Sequence, residues 1–165
     1  MKRLLAALLA GWCLFCAGCG AKSPTEGSVP DAPIIAATAA QPSSPDEWGI
    51  SLSAKYVTPS SLTIVCTQSG GNPTGELHTG SYYSLEQLQN DDWVTVEMLP
   101  HDFDIAWTDE AWIIPMESSV EWPVKWDWLY GELSPGTYRI GKEIDDFRGT
   151  GDFDTHFCYA EFDIP

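Results

Sequence analysis

Three histidines, two cysteines on strand-like runs, two groups of carboxylates and a set of tryptophans are the residues of this chain suited by type to chemistry. His78, His101 and His156 lie far apart, and none stands at the three- or four-residue spacing that puts two metal ligands on one element. Cys66 and Cys158 each fall on the apolar parity of an alternating run. The expectation is a disulfide between two core strands, closing a loop of about 90 residues and contributing on the order of 4–5 kcal/mol. The alternative is a pair of buried thiols packed as small hydrophobes. A nucleophilic thiol needs an activating histidine in an electropositive, partly exposed setting, and a chain with a formal charge of −16 is poorly suited to provide one.

The carboxylates gather in two stretches that read as loops. One holds Asp102, Asp104, Asp109 and Glu110; the other holds Asp145, Asp146, Asp152 and Asp154 around a Gly-Thr-Gly turn. Calcium takes several oxygens converging on one point. The second group is a weak candidate for that, without the helix-loop-helix spacing, and solvated loop charge is the expected state. Nothing selects two of these acids as a glycosidase pair. Trp93, Trp107 and Trp112 could offer ring faces to a sugar. Trp122, Trp126 and Trp128 share a core parity and are expected to be buried. No Gly-x-Ser-x-Gly elbow, phosphate-cradling loop or nucleotide fingerprint is present. No cofactor or metal is assigned, and the expectation is a protein that is not an enzyme.

The chain that must position these residues begins with a basic Met1-Lys2-Arg3 followed by an uncharged apolar run from Leu4 to Phe15. That is the layout of a secretory signal peptide, and the run is short for a membrane span. Ala17-Gly18-Cys19 then resembles a bacterial lipobox, although Cys16 stands where that motif usually has leucine. The resemblance implies a signal peptide over residues 1–18 and a lipid on Cys19. A plain signal peptide cut nearby and an uncleaved anchor over Leu4 to Ala21 are the alternatives. Residues 19–47 are rich in Pro, Ala, Ser and Thr and carry no aromatic residue. They cannot bury enough apolar surface to offset their ordering entropy and are expected to form a disordered tether.

Residues 48–165 read as a packed domain. Trp48, Ile50, Leu52, Ala54 and Tyr56 alternate with polar neighbours, as do Leu62, Ile64 and Cys66 after a Pro59-Ser60 turn. This is the period of half-buried strands. Ser69 to Thr79 reads as a loop. Ser81 to Leu88 and Trp93 to Met98 read as a hairpin turned at Gln89 to Asp92, with a helix over Ser84 to Gln89 as the competing reading. Leu99 to Glu110 is a long acidic loop, and Ala111 to Pro115 a short strand. The clearest strand runs from Val120 to Trp128, with Val120, Trp122, Val124, Trp126 and Trp128 alternating. A corner over Leu129 to Gly136, a strand over Thr137 to Ile144, a glycine-aspartate loop and a last strand over Phe157 to Ile164 complete the chain. Seven to eight short strands without a helical period predict an all-β antiparallel sandwich.

Several stretches, WGISLSAKYVTPSSLTIVC, GSYYSLEQLQNDDWVTV, VEWPVKWDWLYGELSPGTYRIGKEI and FCYAEFDIP, resemble the bacterial immunoglobulin-like domains of exported proteins. The most specific part is Leu133-Ser134-Pro135-Gly136-Thr137-Tyr138-Arg139-Ile140, a leucine, a Pro-Gly turn and then Tyr-Arg-Ile. The resemblance implies an immunoglobulin-like antiparallel β-sandwich on an exported protein. It implies no activity, because this architecture hosts many. Together with the N-terminus it yields an expected lipoprotein, anchored to the outer face of the cytoplasmic membrane through its N-terminal lipid only. Its domain is expected to be a binding or structural module for an envelope protein or a glycan, or alternatively a carbohydrate-binding module. So acidic a chain repels nucleic acid and anionic headgroups.

Overall fold

The computed structural model describes residues 42–165. Cys19, the expected signal peptide and most of the expected tether lie outside the described residues. Among the described residues, nine strands and one helical turn follow in order: β1 (Ile50–Thr58), β2 (Ser61–Gln68), β3 (Glu76–Thr79), β4 (Ser84–Gln89), β5 (Asp92–Thr95), β6 (Trp112–Ile113), β7 (Ser118–Lys125), α1 (Asp127–Tyr130), β8 (Gly136–Gly149) and β9 (Asp152–Ile164). Every pairing is antiparallel. One sheet is β1-β2-β7. In the other, β8 is the spine: β4 pairs along Tyr138–Gly141 and β3 along Ile144–Phe147, while β9 pairs along the opposite edge. β5 lies beyond β4 and β6 beyond β3.

Alternation explains the packing. Ile50, Leu52 and Ala54 of β1, Leu62, Ile64 and Cys66 of β2, Ile140 and Ile144 of β8, and Cys158, Ala160, Phe162 and Ile164 of β9 are buried in one core between the sheets. The expected β-sandwich is the fold observed.

Four local readings need correction. The pattern of β1 stops short of Tyr56: the register slips between Lys55 and Thr58, Tyr56 takes a positive φ of 54°, and its ring is exposed while Val57 packs on the core. A bulge shifts which residues face inward. The loop expected over Ser69 to Thr79 ends in β3, where Leu77 and Thr79 alternate inward. The expected strand to Trp128 ends at Lys125, and the chain then turns through α1. Finally, the glycine-aspartate loop is no loop. β8 and β9 are 14 and 13 residues long and form one hairpin, closed at Thr150-Gly151.

The entry to the fold precedes Trp48. Ser43 N donates to Leu52 O and Asp46 N to Ile50 O, both at 2.9 Å, so part of the stretch assigned to the tether lies against β1. At the other side, Tyr138 near the start of β8 donates its hydroxyl to Ser134 O at 2.9 Å and accepts from Gln87 Nε2 at 3.1 Å. A tyrosine bonding back across the corner that precedes its strand is a hallmark of immunoglobulin-like sandwiches.

Candidate functional site

The two thiols are where the alternation puts them, on β2 and β9, but they are free cysteines. The expected disulfide between Cys66 and Cys158 is not formed. In domains with the inter-sheet bridge, the second cysteine sits two residues after the corner tyrosine. Here that position is Ile140, and the thiol lies on the neighbouring strand β9. Burial first, and the nearby Asp46 carboxylate second, push the Cys66 thiol up to about 12 and hold Cys158 well above the ordinary thiol range. Both remain protonated at neutral pH, the opposite of an activated nucleophile.

Asp46 is the hub of the entry segment. Its Oδ1 accepts from Trp48 N and Ile50 N at 2.9 and 2.8 Å, and its Oδ2 receives the Cys158 thiol at 3.6 Å. His156 stacks on Trp48 at 3.7 Å and places its nitrogens 3.5 Å from Asp46 Oδ2 and 3.1 Å from Glu47 Oε1. The carboxylate therefore stands between imidazole and thiol. A histidine that activated the thiol would have to contact it directly. The cluster fastens the incoming chain to β9.

The candidate calcium acids are also divided. Asp145 faces out of the sheet and accepts from Thr155 Oγ1 at 2.6 Å. Asp146 points inward, buried, and accepts from Thr74 N, Thr74 Oγ1 and Gly75 N at 2.7, 2.8 and 2.5 Å. These bonds, with the Arg148 charge, outweigh its desolvation and hold its carboxyl below the usual range. Asp152 and Asp154 bind the Arg148 guanidinium at 2.8 and 2.9 Å. Asp146, Asp152 and Asp154 thus meet around the Arg148 guanidinium, which occupies the position a cation would need. Among the described residues, no group of three or more His, Cys, Asp and Glu side chains is arranged to hold a metal ion.

The three candidate sugar-binding tryptophans do not form one platform. Trp93 lies on the outer face of the larger sheet, but the Arg139 guanidinium covers its ring at 4.6 Å and also the Tyr159 ring at 4.1 Å. Trp107 meets Tyr82 and Tyr83 edge-on at 5.3 and 5.1 Å and packs against the core. Trp112 turns inward and stacks on Trp122 at 6.2 Å. Between the sheets beside this pair stands Lys142, 2% exposed. Its ammonium donates to Gly80 O and to Tyr82 O, the latter at 2.7 Å, and lies 5.2 and 5.8 Å from the Trp112 and Trp122 rings. Burial pulls its pKa down to about 8. The lysine ties the β3–β4 connection to β8.

Sequence reasoning missed an apolar knob at one end of the sandwich. Trp126 is fully buried, its indole N–H donating to Pro59 O at 3.0 Å, yet Trp128 is 46% exposed. Residues two apart on a strand share a face, but on a helical turn they point apart. The buried set Trp126, Leu129, Tyr130 and Leu133 has the spacing i, i+3, i+4, i+7, and that helical signal was present in the sequence. The long loop after β5 docks on α1 through Leu99 N to Leu129 O at 2.7 Å. His101 then bridges the rings of Phe103 and Trp128, at 5.1 and 6.1 Å. Met98, Leu99, Phe103 and Trp128 are all exposed.

Two antiparallel sheets packed face to face, with a tyrosine corner and long connections, define an immunoglobulin-like sandwich. The description "Bacterial Ig-like domain" matches residues 46–162, most of the chain, and the chain belongs to that family. No match was found among curated proteins or among solved structures.

Proposed function

We propose that this protein is an exported bacterial lipoprotein, held at the outer face of the cytoplasmic membrane by a lipid on Cys19, whose immunoglobulin-like domain is a non-catalytic binding or structural module. The carrying observation is how the domain spends its reactive groups. Cys158, His156 and Asp46 fasten the entry segment, Asp146 caps the Thr74-Gly75 turn, and Lys142 clamps two carbonyls. These are the groups an active site would draw on, and here each has a structural partner. Membership of a bacterial Ig-like family and the basic-apolar-small-Cys N-terminus support the exported location. Stable attachment takes two or more acyl chains, which a lipid-modified N-terminal cysteine provides.

Mass spectrometry of the mature N-terminus tests the anchor. The expected first residue is Cys19 carrying a diacylglyceryl mass. An unmodified N-terminus, or one at another residue, would refute the lipid. The covered Trp93 and dispersed Trp107 and Trp112 give the carbohydrate-binding alternative no shared platform, and a glycan array with clear, Trp93-dependent signal would restore it.

A further inference from the structure

The knob at the α1 end is the surface best suited to engage a partner, and the inference rests on reading this domain as a binding module. We propose that Leu99, Phe103 and Trp128 form a docking site for a cationic amphipathic protein segment, one that presents leucine- or phenylalanine-like side chains beside lysine or arginine.

Three observations carry it. The apolar side chains are exposed, and two of them are joined: Phe103, 62% exposed, and Trp128 both lie against His101. Leu99 sits over the Gly131 turn, its Cδ1 3.7 Å from where a glycine Cβ would stand. An exposed apolar patch of this kind is costly in water unless something uses it.

The patch has a rigid base. Leu99 N is bonded to Leu129 O, and Trp126 just before α1 and Leu129 within it are both buried in the core. A preorganised aromatic anchor loses little conformational entropy when a partner arrives.

The two chain segments that carry the knob hold carboxylates and no cation. Glu97, Asp102, Asp104, Asp127 and Glu132 are exposed beside the knob in the chain, and neither residues 96–111 nor residues 126–136 contain a lysine or arginine. Exposed Lys125, at the end of β7 and three positions before Trp128, is the nearest cation in sequence, against five exposed carboxylates.

Apolar centre and acidic rim together select the occupant. A second copy of this chain would press one acidic rim against another. Anionic lipid and nucleic acid meet the same repulsion. A basic amphipathic segment satisfies both features: its apolar face covers the rings and its cations reach the rim carboxylates.

The test is a titration of the purified full chain carrying Cys19→Ser with synthetic peptides. One is an amphipathic leucine-lysine helix, one a leucine-glutamate helix, and one a serine-lysine peptide. Because the titration is independent of lipidation and export, its failure leaves the anchor reading intact, and loss of the anchor leaves this site intact. The expected result is binding of the leucine-lysine peptide alone. Phe103→Ser with Trp128→Ser should weaken it about tenfold or more, whereas Phe153→Ser with Phe157→Ser on the larger sheet should not. Asp102→Asn with Asp104→Asn should weaken it and flatten its salt dependence, with circular dichroism confirming that each variant is folded. Equal affinity after the knob substitutions would overturn the proposal. So would comparable binding of the serine-lysine or leucine-glutamate peptide, or knob-dependent binding to phosphatidylcholine vesicles in place of the peptide.

Discussion

Two tryptophans two residues apart do opposite things in this chain, and their difference can be measured. Trp126 fills the core and donates its N–H to Pro59 O, while Trp128 stands in solvent. Trp126→Ala should cost about 3–5 kcal/mol, and Trp128→Ser should change stability by less than about 0.5 kcal/mol, both read from urea denaturation. Lys142 adds a pH signature. Its pKa is about 8 in the fold against 10.5 when exposed, so between those values the unfolded chain binds more protons. Below pH 8 the ammonium is charged in both states and the burial cost, on the order of 3 kcal/mol, is present in full. Stability from this residue therefore rises as pH climbs from 8 towards 10.5. The Cys66 thiol, raised from 9 to about 12, acts in the opposite sense from pH 9 upward. Denaturant midpoints between pH 7.5 and 9 should climb in the native protein and stay flatter in Lys142→Met. Parallel slopes would show that Lys142 is not buried as a charged amine.

Among the elements, those with unbroken alternation were readable from the sequence. β2 and the inward half of β9 appear where their parity puts them, because a single face is buried along their length. The hairpin β4–β5 was also legible, and its turn is Asn90-Asp91, with φ of 52° and 70°. A two-residue turn with both φ positive suits the twist of paired strands, and glycine fits its second position best. Asp91→Gly should therefore raise stability by a few tenths to about 1 kcal/mol, checked by thermal melting. What was not legible followed from residues with two uses. Asp145, Asp146, Asp152 and Asp154 look like loop charge, but three of them satisfy Arg148, which lets β8 and β9 run through the acidic stretch as strands. Tyr56 and Trp128 obey the strand period in sequence, and a bulge and a helical turn take each out of the core. Of the candidate site, the cysteines were correctly placed inside but not bonded, and the exposed knob was invisible because it joins residues about 25 positions apart.

At the scale of the molecule, the sandwich holds its reactive groups inward and presents acidic, partly aromatic surfaces outward. The buried thiols follow from that: Cys66 and Cys158 should resist iodoacetamide in the folded protein, and both should be alkylated after unfolding without reductant. Alkylation that required a reductant would reveal a bond instead. The central proposal is a folded module displayed outside the cell on a lipid tether. Fractionation of cells producing the native chain and Cys19→Ser, combined with protease added to intact cells, tests it most directly. The prediction is that the native protein is found in the membrane fraction and is cleaved from outside, while Cys19→Ser is released into the soluble exported fraction. Retention of both in the membrane, or protection of the native protein from the added protease, would contradict it.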